Sequence, residues 1–140
     1  MSALPTPDGK HHPTLTAAIA VQGGFKALDF YKNVFGAQEI LRVPGSEGKL
    51  IHAQLRIGDS LLFVSDEEPS LGHRCQAPQA FNGTTFVLYL HVDDADATYA
   101  RAVAAGAEAV FPVKQQDWGN REGVVRDPFG HLWALASHSK

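Results

Sequence analysis

The side chains with chemistry to offer gather at two places in this sequence. One is the run 117–123, Asp117-Trp118-Gly119-Asn120-Arg121-Glu122-Gly123. It brings together an indole for stacking, an amide that both donates and accepts, and a guanidinium fork suited to a carboxylate or phosphate. The other is His52, which lies in residues 49–57, where Ile51, Ala53, Leu55 and Ile57 take one face and His52, Gln54 and Arg56 the other. A histidine on the open face of a strand can act as a general base, a hydrogen-bond donor or a metal ligand. A cross-strand partner could equally hold it in a purely structural role. The same openness applies at 117–123: Trp118 could line a pocket or pack in a dimer interface, Arg121 could pair with Glu122 or Asp127, and Asp117 could cap its turn.

These groups need a scaffold, and the patterning supplies one. Residues 14–21 form a short apolar run between Pro13 and Gly23-Gly24, a strand signal. Phe25, Leu28, Tyr31 and Phe35 recur at helical spacing, with Gly36 where a helix-terminating glycine belongs. Strands are predicted at 38–43, at 49–57 with its strict alternation, and at 60–65 after the Gly58-Asp59 turn. The β-branched and aromatic run 84–92 reads as a strand, Asp93-Asp94 as the start of a helix to about 105, and 108–113 as a strand closed by Pro112. The tight turn Asp127-Pro128-Phe129-Gly130 joins two last strands, 123–126 and 132–136, with His131 and Trp133 on the helix-facing parity.

Composition narrows the class. At 140 residues, 44% hydrophobic and 19% charged, the chain fits one ordinary soluble domain or two small halves. A net charge of −3 carries no basic footprint for nucleic acid, and no apolar run is long enough to span a bilayer. Residues 1–13 lack an apolar core of the secretory kind and read as a flexible lead, whose His11-His12 pair is most simply solvated. A single cysteine, Cys75, excludes an internal disulfide and points to a reducing cytoplasm. It falls in the irregular stretch 66–83, beside Arg74, and that stretch reads as a linker or lid.

The order strand–helix–Gly-Ala–strand–strand–turn–strand occurs twice, over 14–65 and 84–138. Gly58 to Ser65 can be laid without a gap on Gly130 to Ser137, which matches Leu62 with Ala134. The predicted fold class is therefore α+β, a duplicated βαβββ unit with mixed sheets and helices on one face. The uncovered sheet faces form a concavity where a ligand would sit.

With its paired units, the Asp29-Phe30-Tyr31 to Phe35-Gly36-Ala37 helix end and the Asp127-Pro128-Phe129-Gly130-His131 turn, the chain resembles the vicinal oxygen chelate superfamily, which includes glyoxalase I, extradiol dioxygenases and bleomycin- and fosfomycin-resistance proteins. Residues 51–59, 83–85, 102–107 and 118–121 resemble its PhnB-like subgroup. The resemblance implies a glyoxalase/bleomycin-resistance fold, a homodimer, a small-molecule ligand and, in the family's enzymes, a divalent metal. That metal takes His or Gln from the first strand of each unit and Glu from each last strand. The corresponding positions here are Thr16, Leu62, Val87 and Ala134, none of them a ligand for such a cation, so no metal or other cofactor is expected.

If Val87 faces the concavity, Tyr89 and His91 share its parity. The candidate ligand-binding residues are then Gln54, Tyr89, His91, Trp118, Asn120 and Arg121, with His52 as the candidate catalytic group. Asp93 and Asp94 could instead simply hold His91, while His52, His91 and Asp117 could make an unconventional metal site. The expected function is binding of a small molecule in the concave sheet without the usual metal. The alternative is a metal-assisted lyase, isomerase or dioxygenase with its site relocated around His52, and a cavity filled by side chains would mean a purely structural role.

Overall fold

The computed structural model describes residues 6–70 and 75–138, and its contacts divide the chain into two units, Met1–Ala77 and Pro78–Lys140. The first unit runs β1 (Ala17–Val21), α1 (Gly24–Phe35), β2 (Gln38–Pro44), β3 (Leu50–Ile57) and β4 (Ser60–Asp66). Its sheet has the order β1-β4-β3-β2, with β1 parallel to β4 and the other pairs antiparallel. The second unit opens with a single 3-10 turn, Pro78–Phe81, followed by β5 (Val87–His91), α2 (Ala95–Ala104), β6 (Glu108–Gln115), β7 (Asn120–Arg126) and β8 (Leu132–His138). Its sheet repeats the arrangement, β5-β8-β7-β6. The fold is α+β, built from two βαβββ units.

Each helix covers one face of its own sheet. In α1 the buried stripe is Ala27, Leu28, Tyr31 and Val34, and it meets Ile19, Val21, Ala53, Leu55, Leu62 and Val64 from the strands. Phe25 and Phe35, counted in the predicted stripe, lie at its half-buried margins. The helix has no side-chain cap of its own. Asp66 at the end of β4 supplies one: its Oδ1 accepts from the N–H groups of Gly23 and Gly24, both at 2.9 Å, and its Oδ2 from Leu50 N–H at 2.7 Å. A Cβ on Gly24 would meet Leu50 Cβ at 2.7 Å, so the helix approaches β3 closely. In the second unit Asp94 caps α2 by accepting from Ala97 N–H at 3.1 Å, as the sequence predicts.

Several predicted boundaries shift. Residues 84–86 lie outside β5, and residues 14–16 outside β1. Pro112 does not end β6. A register shift between Phe111 and Lys114 absorbs the missing N–H as a bulge on this edge strand, and the strand continues to Gln115. The strand predicted to begin at Gly123 begins at Asn120, leaving Trp118 on the β6–β7 turn. Residues 6–13, expected as a flexible lead, make defined contacts with β3: Arg56 Nε donates to Asp8 Oδ2 at 2.6 Å and its Nη2 to Asp8 Oδ1 and Thr6 Oγ1, both at 3.1 Å.

The internal match is one residue off the gapless one. Arg56 faces Leu61 across the β3–β4 hairpin, and Arg126 faces Leu132 across β7–β8. Four residues, 57–60, span the first connection and five, 127–131, the second. The extra residue belongs to the Asp127 turn, so Phe63 rather than Leu62 is the counterpart of Ala134.

Candidate functional site

Side chains on the helix-free side of the first sheet follow from strand alternation: His52, Gln54 and Arg56 on β3, Phe63 on β4, Ala18 on β1 and Leu41 on β2. Sequence reading placed His52 and Gln54 together there, and the structure brings them within 3.1 Å, His52 Nε2 to Gln54 Nε2. With the amide donating, the neutral imidazole carries its proton on Nδ1. The edge of His52 stands against the Phe63 ring, centroids 5.1 Å apart, and His12 meets the same ring at 6.2 Å. Gln54 Oε1 is buried with no hydrogen-bond partner among the described residues, and so is Thr16 Oγ1. Turning the Gln54 amide over would only exchange which of its terminal atoms is stranded. A buried acceptor left open beside a histidine is where a ligand's donor would be taken up.

In the second sheet the corresponding side holds Val87, Tyr89 and His91 on β5, Ala134 and Ala136 on β8, Glu122, Val124 and Arg126 on β7, and Phe111 on β6. Tyr89 and His91 lie side by side, ring centroids 5.1 Å apart. The two alanines of β8 are small enough for Tyr89 to lie across them, and its hydroxyl donates to Glu122 Oε1. Glu122 pushes the Tyr89 phenol above its ordinary range, because a neighbouring carboxylate accepts from the neutral phenol and repels the phenolate. Val87 and Tyr89 remain 47% exposed.

One predicted member of this group stands elsewhere. Arg121 has the parity of Gly123 and Val125, the helix side, and there forms a two-pronged ion pair with Asp96 of α2: Nε to Oδ2 at 2.8 Å, Nη2 to Oδ1 at 2.9 Å. It is not an anion clamp on the open face. Its partner is neither Glu122 nor Asp127, the two that the sequence suggested. Trp118 is exposed on the β6–β7 turn and Asn120 begins β7 on the open parity, opposite His138, and the side chains of both reach the Tyr89 hydroxyl. Glu122 was missed as a site residue, although its parity with Val124 was readable once β7 was known to start at Asn120. His131 and Trp133 are buried and structural: Asp127 accepts from the N–H groups of Phe129 (2.9 Å) and His131 (3.0 Å) and from Trp133 Nε1 (2.9 Å). Cys75 Sγ lies 3.6 Å from the carbonyl oxygen of Asp66, while Arg74 falls outside the described residues.

Residues 11–135 match the Glyoxalase/Bleomycin resistance protein/Dioxygenase superfamily. The chain belongs to this superfamily. It is 44% identical over 124 residues to an uncharacterised protein of Mycobacterium bovis, a match covering 88% of this chain and 82% of that one. Among solved structures, it is similar to TioX from Micromonospora sp. ML1, with a TM-score of 0.71 and 30% identity over 91% of this chain and all (100%) of that one. An Arabidopsis thaliana gene product gives a TM-score of 0.66 and 28% identity over 89% of this chain and 98% of that one.

The divalent metal implied for the superfamily's enzymes can be tested on the donor set. With the ladder register corrected, its four positions are Thr16, Phe63, Val87 and Ala134. One hydroxyl and three carbon side chains do not fit a cation that takes carboxylate or imidazole donors. Among the described residues no group of three or more His, Cys, Asp or Glu is placed to hold a metal.

Proposed function

We propose that this superfamily member binds a small molecule on the helix-free faces of its sheets, without the divalent metal of the family's enzymes. One observation carries the reading: Val87 and Tyr89 are each 47% exposed on β5, Val87 opposite Leu132 and Tyr89 opposite Ala134, with the Glu122 carboxylate held by the Tyr89 hydroxyl beside them. An aromatic and aliphatic surface with a few fixed polar groups is the make-up of a small-molecule site. The open Gln54 acceptor beside His52 supports a second polar contact region on the first sheet. The ligand class favoured is planar and largely apolar, with a donor for Glu122 or Gln54. Arg121 offers this face no anion contact, since it is paired on the helix side.

The reading includes three further points. The chain belongs to a PhnB-like branch, which the residues at 51–59 and 118–121 support. It works as a homodimer, and it resides in the cytoplasm, in keeping with its single cysteine. No helix among the described residues is long and apolar enough to cross a membrane.

Backbone NMR shifts recorded with a panel of small aromatic compounds test the proposal. The expected result is saturable shifts concentrated at residues 87–91, 122–124 and 134–136, and at His52 and Gln54. Shifts confined to the helices, or none from any compound, would overturn it. A second reading, favoured by the His52–Gln54 contact, makes His52 the general base of a lyase or isomerase. In that case His52→Ala abolishes turnover of any substrate found while ligand binding survives.

A further inference from the structure

The two units carry an arginine at the same place in their ladders. Gln38 faces Arg56 across β2–β3, and Glu108 faces Arg126 across β6–β7. In the first unit that arginine is 6% exposed, and its guanidinium is taken by the segment ahead of β1: Asp8 accepts from Nε and Nη2, and Thr6 from Nη2. In the second unit Arg126 is 37% exposed and, among the described residues, holds a single 3.2 Å contact with Glu108, itself 69% exposed, and a 3.4 Å bond to the Gly130 carbonyl. Its Nη2 meets no acceptor among the described residues.

The sequence explains the difference. Ala17 faces Leu62 in the first unit and Leu88 faces Trp133 in the second, so β1 maps onto β5 with an offset of 71 residues (88 − 17). The same offset carries Pro7-Asp8 onto Pro78-Gln79 (7 + 71, 8 + 71). Where the first unit has a carboxylate, the second has an amide. Around Arg126 the structure leaves a cavity of about 360 Å³, lined by Pro78, Gln79, Asn82, Glu108 and Gly130 among others.

We propose that this cavity is an anion site: Arg126 takes the carboxylate of a small acid in the place that Asp8 fills over Arg56, with the Gln79 and Asn82 amides as flanking donors. A planar carboxylate matches the guanidinium fork, and two parallel charge-assisted bonds outweigh one exposed ion pair. Glu108 is the competitor and swings aside when the acid binds. Arg126 shares the helix-free side with Val87 and Tyr89 but sits at the turn end of β7 opposite Glu108, and its carboxylate site does not require a ligand over Tyr89.

The test is an NMR titration with sodium acetate and sodium benzoate against sodium chloride at matched ionic strength, reading the Arg126 Nε–H and Gln79 side-chain signals. The carboxylates should give saturable shifts that chloride does not, and Arg126→Gln should remove them. Gln79→Asp restores the built-in carboxylate and should weaken binding roughly fivefold or more, while Glu108→Gln should tighten it. All three positions are at or near the surface, and an unchanged amide spectrum elsewhere verifies the fold. Equal response to acetate and chloride, an Arg126→Gln titration like wild type, or undiminished binding in Gln79→Asp would overturn the proposal.

Discussion

The Tyr89 hydroxyl donates to Glu122 Oε1 from two strands away, across Ala134 and Ala136 of β8. Two alanines in the middle strand make this reach possible, and it fixes a carboxylate beside an exposed phenol on the face without a helix. In Glu122→Gln the largest cause of the raised phenol pKa is gone, and only the smaller effect of burial still pushes it up. Tyr89 should then ionise at lower pH than in wild type, read from its ring carbon signal in an alkaline NMR titration. An unchanged midpoint would show that the carboxylate does not govern the phenol.

The Asp8–Arg56 pair makes residues 6–13 a pH-dependent tether. Arg56, followed by Thr6, holds the Asp8 carboxyl far below the ordinary aspartate value of 3.8. A depressed folded-state pKa contributes stability that is present above the unfolded value and lost as pH falls from there towards the folded one. The gap in urea midpoint between wild type and Asp8→Asn should therefore be constant from about pH 5 upwards and narrow below about pH 4. A gap that widened in acid would contradict the assignment.

Gly123 is required by the β6 bulge. A Cβ there would meet Val113 N and Cγ2, both at 2.9 Å, and the Phe111 carbonyl oxygen at 3.0 Å. Two of these are backbone atoms that cannot turn away. Gly123→Ala should cost about 1–3 kcal/mol in denaturant unfolding and shift the amide signals of 111–114.

Asp127 has three donors converging on a carboxylate that is only 3% exposed. Asp127→Ala strands them in the interior and should destabilise by roughly 2–4 kcal/mol. Trp133→Phe removes one donor with its partner left in place and should cost less. Equal losses would mean that packing, not the carboxylate, holds this turn.

The scaffold was legible because its signals are local. The alternation at 49–57, the stripe of α1 with Gly36 and the Asp94 cap each specify their element within a few residues. What escaped depends on partners distant in sequence. Asp66 capping α1 and Asp8 reaching Arg56 are tertiary contacts that no window reveals. A single extra residue in the Asp127 turn moved the Phe63–Ala134 match. The later start assigned to β7 kept Glu122 and Arg121 from being sorted to opposite faces, and with them the choice of which one belongs to the site.

The central claim, small-molecule binding on the open faces without a family-type metal, meets its most direct test in a binding isotherm for the strongest compound of the aromatic panel. It should be measured before and after dialysis against EDTA, with elemental analysis of both samples. The account predicts superimposable isotherms and a loss of affinity in Tyr89→Ala. Binding that vanishes with the chelator and returns with stoichiometric zinc, nickel, manganese or iron would contradict it.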